Sequence, residues 1–330
     1  MTTPMPHGQN IGSALATGLY EIDPGDFAEA QRELRHQDPL PPLPAKVDPS
    51  QLPREVRMRV SAMIAQGAFE PPRLPEIAVQ VLRQAEDPKG SAEDMAALIH
   101  RDPFLAGRLL AAANSAMFRP RDRGITRLPE AVARMGVRQV RNIILAAAME
   151  QTVYRGRHTA LMSELWRASI GAAVGSRLVS SLMRRDPDRA FMLGLLHDVG
   201  KPVLAWCMDQ VLLQSQQDEL DFDQLARPIF HLLHPQVGSL IVTHWNLPKG
   251  LATAVLHHHD PAPPEDIKAW ARVLRIANLL YECWRDSPED FDEGGMLHSH
   301  TLLVRSFREP HTIQRLLNLY PVSLESLLAG

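Results

Sequence analysis

Cysteine is nearly absent from this 330-residue sequence, which contains only Cys207 and Cys283. The two lie far apart and form no CxxC pair, which argues against a cysteine-ligated zinc site or a disulfide-based scaffold. Isolated thiols are typical of a reducing compartment, where a free cysteine packs as a small core residue. We therefore expect both to be core residues of a cytoplasmic protein.

The sequence also lacks a long apolar run and a strong net charge. No apolar stretch approaches the roughly 18 residues that span a bilayer, and the first residues lack the basic region and apolar run of a secretion signal. The net charge of −3 is small and negative, so it does not predict electrostatic attraction to nucleic acid or anionic lipid. These absences predict a cytoplasmic protein that binds neither nucleic acid nor membrane.

Apolar residues recur at helical spacing along nearly the whole chain, and strand-like alternation is hard to find. Two helix starts carry capping residues: Ser91, with Asp94 three positions later, and Asp102, followed by Pro103. Gly136 is expected to end a helix in the left-handed conformation. Further helices are predicted at about 160–184, 189–206, 235–245, 249–259 and 265–285, with two short ones near the end. The pattern predicts an all-α protein.

Proline is concentrated near the start of the chain. Residues 38–53, "DPLPPLPAKVDPSQLP", contain six prolines and are typical of an extended linker. Residues 23–37, just before it, have the pattern of a short amphipathic helix. We expect residues 1–50 to form a mobile leader.

Histidine is the unusual constituent. His197 and Asp198 stand side by side in the apolar segment "FMLGLLHDVGKPVL". Imidazoles and carboxylates from separate helices can form a metal site in a helical bundle, and two metals bridged by water can hydrolyse a phosphoester. Adjacent residues point about 100° apart on a helix, so this spacing alone is weak evidence. The alternative, which the sequence chemistry favours, is a hydrogen-bonded core histidine beside an Asp198–Lys201 ion pair. Further histidines occur at positions 231, 234, 244, 257–259, 298 and 300.

A series of motifs carries a resemblance to a known family. In order, they include "PPRLPEIAVQVLRQAEDP", "IHRDPFLAGRLLAAANSAMF", "FMLGLLHDVGK", "HPQVGSLIVTHWNLP" and "AVLHHHDP". The segment "GLLHDVGK" resembles the signature of the HD superfamily of metal-dependent phosphohydrolases. From about residue 70 to about 285, the chain is similar to the HDOD domain (HD-related output domain). The resemblance implies a two-lobed helical HDOD fold, with an N-terminal lobe at about 51–155 and an HD-hydrolase-like lobe at about 156–330.

Aligned with the catalytic HD hydrolases, the chain has an incomplete ligand set. Their first histidine aligns with Ala168, which has no donor atom, and their distal aspartate aligns with Asn278, whose amide is a poorer ligand than a carboxylate. His234, His258 and His259 align with histidines of the cyclic-di-GMP-cleaving HD-GYP relatives, although the GYP segment itself is missing. The resemblance implies a remnant metal site formed by His197, Asp198, His234, His258 and His259.

Three interpretations of this remnant stay open: a hydrogen-bonded polar network, one bound but non-catalytic divalent ion, or a divergent phosphohydrolase acting on a nucleotide or cyclic dinucleotide. The two missing ligands favour the network, so we expect no catalytic residue and no cofactor, with a divalent metal ion as the alternative. The resemblance implies bacterial signalling through protein–protein interaction or ligand sensing, with two-component or cyclic-dinucleotide machinery as partners. It leaves the oligomeric state open.

Overall fold

The structure is a computed structural model that describes residues 50–87, 90–115, 118, 124–213, 221–286, 291, 303, 306–307 and 310–328. No strand occurs within these residues, which confirms the predicted all-α fold. The helix predicted at 23–37, most of the proline-rich segment and the histidines at 298 and 300 lie outside the described residues. The helices are α1 Leu52–Ala65, α2 Glu76–Gln84, α3 Ala92–Ile99, α4 Pro103–Ala113, α5 Leu128–Met135, α6 Val137–Thr152, α7 Thr159–Leu182, α8 Pro187–Leu196, α9 Gly200–Leu212, α10 Phe222–His244, α11 Lys249–Leu256, α12 Glu265–Asp286 and α13 Pro310–Leu328.

The predicted helix caps are present. The Ser91 hydroxyl accepts a hydrogen bond from the Asp94 backbone N–H at 3.0 Å and so begins α3. The Asp102 carboxylate accepts from two backbone N–H groups in the first turn of α4. Gly136 has the expected positive φ of 79°, but its ψ of 151° lies outside the left-handed helical region. It is at once the C-cap of α5 and the N-cap of α6, so this conformation redirects the chain from one helix into the next.

The single helix predicted at 189–206 is wrong, because the chain forms α8 and α9 with a turn between them at residues 197–199. Pro202 explains the break. It has no N–H to donate to the carbonyl of Asp198, and its ring would clash with that carbonyl in a continuous helix. In the first turn of α9 the same proline is tolerated. The break places the His–Asp pair in a turn.

Two other helix boundaries also differ from the prediction. Helix α10 begins at Phe222, well before the predicted start at 235, and it contains Pro228 and Pro235. Its long buried face outweighs the hydrogen bonds that the two prolines remove. At the C-terminus, α13 is one 19-residue helix where two short helices were expected.

Helix α7 is central to the packing. It packs against α8, α12 and α13, while α9, α10 and α11 pack in succession and α2–α6 pack with one another. Helix α6 contacts α8, and the buried apolar residues of all these helices form one continuous core. The predicted lobe division near residue 155 falls between α6 and α7 and stays a prediction; α1 packs against α9 and α10 of the second half. Among the described helices, none has the length and apolar character needed to cross a membrane.

Candidate metal centre

Three separate segments carry the predicted site residues. His197 is the C-terminal cap of α8, and Asp198 follows it in the turn before α9. His234 lies within α10. His258 and His259 follow the end of α11. A shared site therefore requires the α8–α9 turn, α10 and the end of α11 to approach one another closely.

Glycine permits this approach. A Cβ atom on Gly200 would lie 2.2 Å from the backbone carbonyl oxygen of His234, a distance that real Cβ atoms essentially never show. A Cβ atom on Gly238, one turn further along α10, would meet a Val255 methyl group at 2.9 Å. The backbones of α9 and α10 are thus in direct contact, and this contact brings Asp198 beside His234.

The four side chains of Asp198, His234, His258 and His259 converge on one point. One ligand atom from each lies within 4.8 Å of the others. Asp198 Oδ1 is 3.2 Å from His234 Nε2 and 3.8 Å from His258 Nε2. His234 Nε2 is in turn 3.2 Å from His258 Nε2 and 3.1 Å from His259 Nε2. We call these four residues the Asp–His cluster.

Backbone carbonyls fix the ring orientation of two of these histidines. His234 Nδ1 donates to the Phe230 carbonyl at 2.5 Å, and His258 Nδ1 donates to the Val255 carbonyl at 2.6 Å. Because a carbonyl can only accept, each Nδ1 carries the proton. Burial lowers the pKa of His234 to about 3 and also lowers that of His258, so both rings are neutral. Their Nε2 lone pairs therefore face each other and the Asp198 carboxylate.

Asp198 is a buried carboxylate with unequal surroundings at its two oxygens. Oδ2 accepts from the Lys201 ammonium at 2.5 Å and lies 3.2 Å from His197 Nε2. Oδ1 is buried and has no hydrogen-bond partner among the described residues. Burial alone would raise the pKa of Asp198, but the proximity of His197 and Lys201 holds it well below its usual value. The carboxylate is therefore ionised.

His197 lies beside the Asp–His cluster and contributes no atom to it. Its Nδ1 donates to the Gly194 carbonyl at 2.7 Å, and its ring meets the ring of His258 edge-on at a centroid distance of 5.4 Å. The structure thus brings four of the five predicted residues to one point, with His197 on the other side of the carboxylate. The ion pair of Asp198 with Lys201, offered by the sequence as an alternative, is also present.

The Asp–His cluster fits a divalent metal ion. Ligands at about 2.0–2.2 Å in tetrahedral geometry are about 3.4 Å apart, and four of the separations among these atoms lie between 3.1 and 3.8 Å. Neutral imidazoles that donate Nδ1–H to backbone carbonyls are the usual form of metal-bound histidine. The unpartnered Asp198 Oδ1 supplies a negatively charged oxygen ligand, and the facing histidine lone pairs supply nitrogen ligands for a divalent cation.

The positions of the two missing hydrolase ligands lie outside the Asp–His cluster. Ala168 is in α7 and packs against the hydrophobic core. Asn278 is in α12 and is partly buried. A methyl group and a neutral amide cannot replace the imidazole and carboxylate with which they align. These helices therefore offer poor support for a second metal ion.

One carboxylate near the site was missed by the sequence analysis. Glu282 lies one turn after Asn278 on α12, and burial raises its pKa. It interacts electrostatically with both Lys201 and Asp198, although it forms no ion pair with any described residue. The signal that could have found it is its spacing of four residues from Asn278, which places both on one helix face.

Comparison with known proteins identifies the family. The HDOD domain model matches residues 72–261, which is more than half of the chain and contains the whole Asp–His cluster. The chain belongs to the HDOD domain family.

Solved structures share this HDOD fold. A Shewanella amazonensis protein, provisionally named a metal-dependent phosphohydrolase, aligns with a TM-score of 0.61 and 19 % identity, over 80 % of this chain and 99 % of its own. An HDOD domain protein of unknown function from Geobacter sulfurreducens aligns with a TM-score of 0.58 and 22 % identity, over 84 % and 97 % of the two chains. At these identities the likeness shows the fold alone.

A curated relative comes from Treponema pallidum (strain Nichols). This uncharacterized protein is 24 % identical over 231 residues, which is 67 % of this HDOD chain and 44 % of the relative. The chain therefore spans less than half the length of the relative it matches.

Proposed function

We propose that this HDOD protein is a non-catalytic bacterial signalling protein that acts in the cytoplasm through interaction with another protein. The observation that carries the proposal is the state of the Asp198 carboxylate. One oxygen faces the histidines of the Asp–His cluster, and the other is bound by the Lys201 ammonium at 2.5 Å. A carboxylate that bridges two catalytic metals needs both oxygens, so Lys201 competes for the second position.

Burial of the cluster further supports the absence of catalysis. His234 and His258 are 1 % and 3 % exposed, and Asp198 is 8 % exposed. A catalytic metal keeps an open position for water and substrate, whereas a site closed by four protein ligands is typical of a structural ion. Together with Ala168 and Asn278, this burial favours loss of hydrolysis.

A second candidate property is binding of one divalent ion by the Asp–His cluster. The unpartnered Asp198 Oδ1 and the facing Nε2 atoms favour it over a purely hydrogen-bonded network, because two neutral acceptors cannot bond to each other. When bound, such an ion supplies a cross-link between the α8–α9 turn, α10 and the end of α11. The residues that would hold it are Asp198, His234, His258 and His259.

Metal analysis tests this candidate. Protein purified without chelator should contain about one zinc, iron or manganese ion per chain. His234→Ala should lose the ion and unfold at a lower temperature, whereas His257→Ala, whose ring pairs with Asp260 outside the cluster, should keep it. Absence of bound metal after addition of each ion to the wild-type protein would leave the polar network as the correct description.

The remaining partner predictions rest on the family. We propose that two-component or cyclic-dinucleotide signalling machinery supplies the protein partner. The competing hypothesis is a phosphohydrolase acting on a nucleotide or cyclic dinucleotide. A phosphohydrolase would hydrolyse such a substrate, whereas a non-catalytic signalling protein would not.

A hydrolysis assay decides between them. Wild-type protein, Asp198→Asn and Asp209→Asn are incubated with a cyclic dinucleotide and added manganese or iron. Asp209 is a matched control because it is another aspartate paired with a histidine: its carboxylate is partly buried and lies 2.9 Å from His158 Nε2. We expect no turnover above background in any of the three. Turnover that Asp198→Asn abolishes and Asp209→Asn preserves would refute the non-catalytic proposal.

A further inference from the structure

The loop between α7 and α8 separates its acidic from its basic side chains. The Asp186 carboxylate lies 3.2 Å from the Arg138 guanidinium. The Asp188 carboxylate accepts from Arg177 at 2.5 Å and lies 3.8 Å from Arg138. The Asp186 carboxylate of the loop and the Asp188 carboxylate of α8 are thus neutralised by arginines of α6 and α7, and neither forms an ion pair with the arginines of the loop itself.

Three arginines of the same segment remain without a counter-ion. Arg184, Arg185 and Arg189 are exposed, and none forms an ion pair with a carboxylate in the part of the chain that the structure describes. Asp266, one turn before Trp270 on α12, forms no ion pair with them either. These charges are therefore uncompensated.

A tryptophan holds two of the guanidinium groups close together. The Cζ atoms of Arg185 and Arg189 lie 5.9 Å and 5.0 Å from the centroid of the Trp270 ring. Stacking on an indole face fixes each guanidinium while its N–H edges stay free to donate. Both guanidinium groups contact the same ring, so a single anion beside Trp270 would interact with two positive charges.

The backbone around these arginines adds to the positive potential. Arg189 lies in the first turn of α8, and its guanidinium packs against Gly250 in the first turn of α11, where a Cβ atom would be 2.6 Å from Nη2. Helix N-termini carry partial positive charge, and α11 has no acidic residue in its first turn, so a cation there is disfavoured unless an anion accompanies it. Arg184 has a positive φ of 53°, a conformation that glycine adopts more readily. The backbone N–H groups of Arg184 and Arg185 donate to the carbonyls of Ser181 and Ser180, so this conformation belongs to the capping turn that ends α7.

We propose that Arg184, Arg185, Arg189 and Trp270, the arginine patch, bind an acidic segment of a partner protein. Arginine and tryptophan are the residues that most often dominate the energy of protein interfaces, and guanidinium groups bind carboxylates in a bidentate manner. The chain has a net charge of −3, which disfavours phosphate-driven binding of nucleic acid. The proposal rests on the proposed function and names the chemistry of the partner.

Binding of a glutamate-rich peptide tests the patch. The probe is a short fluorescein-labelled peptide of this kind, and fluorescence anisotropy is measured with the full chain at low ionic strength. Wild-type protein should bind, and binding should weaken as salt is added. The double variant Arg185→Gln/Arg189→Gln removes both arginines that contact Trp270 and should bind the peptide about tenfold or more weakly. The double variant should unfold at the wild-type temperature, because both side chains are exposed.

A second double variant controls for net charge. Arg157→Gln with Arg227→Gln removes two other exposed arginines that form no ion pair within the described residues, and it should bind the peptide as the wild-type protein does. Equal peptide binding by both double variants, or no binding by the wild-type protein, would overturn the proposal. So would tighter binding of ATP or of a single-stranded oligonucleotide through Arg185 and Arg189, which would assign the patch to phosphate recognition.

The result is independent of the hydrolysis assay. Peptide binding alongside cyclic-dinucleotide turnover would refute the non-catalytic proposal and leave the arginine patch standing. If the peptide-binding test fails and no cyclic-dinucleotide hydrolysis is detected, the arginine patch is refuted and the non-catalytic proposal stands.

Discussion

Replacement of Gly200 by alanine tests how the Asp–His cluster is assembled. The added Cβ atom would lie 2.2 Å from the His234 carbonyl oxygen and 2.8 Å from the Gly238 nitrogen. Both contacts are with backbone atoms, so no side-chain rotation can relieve them. Helices α9 and α10 must move apart, which separates Asp198 from His234.

The size of the effect follows from that overlap. Real Cβ contacts are essentially never under 3.0 Å, so the helices must separate by about 1 Å. Overpacking of this kind costs about 1–3 kcal/mol, and the rigid backbone places Gly200→Ala near the upper end. For a chain of this size, a loss of about 3 kcal/mol lowers the unfolding temperature by about 4 °C. A shift of about 1 Å is also enough to disrupt the 3.2 Å approach of Asp198 Oδ1 to His234 Nε2.

Urea unfolding followed by far-UV circular dichroism measures this loss. Gly107→Ala is the matched control, because Gly107 lies within α4 and, apart from its chain neighbours and the backbone of α4 itself, no described atom lies within 4 Å of its added Cβ atom. The control should be stabilised by about 0.5–1 kcal/mol, since alanine favours a helix over glycine. Equal stability of Gly200→Ala and Gly107→Ala would refute the argument that a backbone contact positions the cluster.

Two further predictions concern pH and a loop anchor. The pKa of His234 is about 3 in the folded chain, below its ordinary value, so the unfolded chain takes up a proton first as the pH falls. In the presence of EDTA, stability should therefore be complete above about pH 6.5 and decline toward about pH 3, by up to about 1.4 kcal/mol per pH unit for this histidine. His258 and His259 act in the same direction, and urea unfolding that is unchanged between about pH 6 and pH 4.5 would contradict the prediction. Asn114→Ala should cost about 2 kcal/mol in urea unfolding, because the side chain exchanges two hydrogen bonds of 2.7 Å with the backbone of Ile125. Asn318→Ala, on the exposed face of α13, should change stability by less than about 0.5 kcal/mol, and an equal loss in both variants would refute the anchoring role.

Local chemistry made much of the fold predictable. The caps at Ser91 and Asp102 depend on side chains within three residues of the helix start, so the sequence pattern contains the whole interaction. The break at residues 197–199 was missed, because apolar spacing continues through it and only Pro202 marks it. The early start of α10 was also missed: the helix contains Pro228 and Pro235, and it is tertiary packing of its long buried face that retains it.

The candidate site could be predicted only in part. Its residues were found through their alignment with a known family, and the spacing of His197 and Asp198 alone did not require a metal site. The contact between the α9 and α10 backbones at Gly200 depends on how distant parts of the chain pack. The exclusion of His197 from the Asp–His cluster likewise follows from its bond to the Gly194 carbonyl, which the helix break makes available. Neither could be derived from local pattern.

Phosphodiester turnover by metal-loaded protein tests the central claim most directly. Wild-type protein is saturated in turn with manganese, iron and zinc, its metal content is measured, and cyclic-dinucleotide hydrolysis is followed with Asp198→Asn as the background. With Lys201 on one oxygen of Asp198, and with Ala168 and Asn278 in the aligned ligand positions, the wild-type rate should equal that background whether or not an ion is bound. A rate above that of Asp198→Asn that rises with metal content would contradict the account.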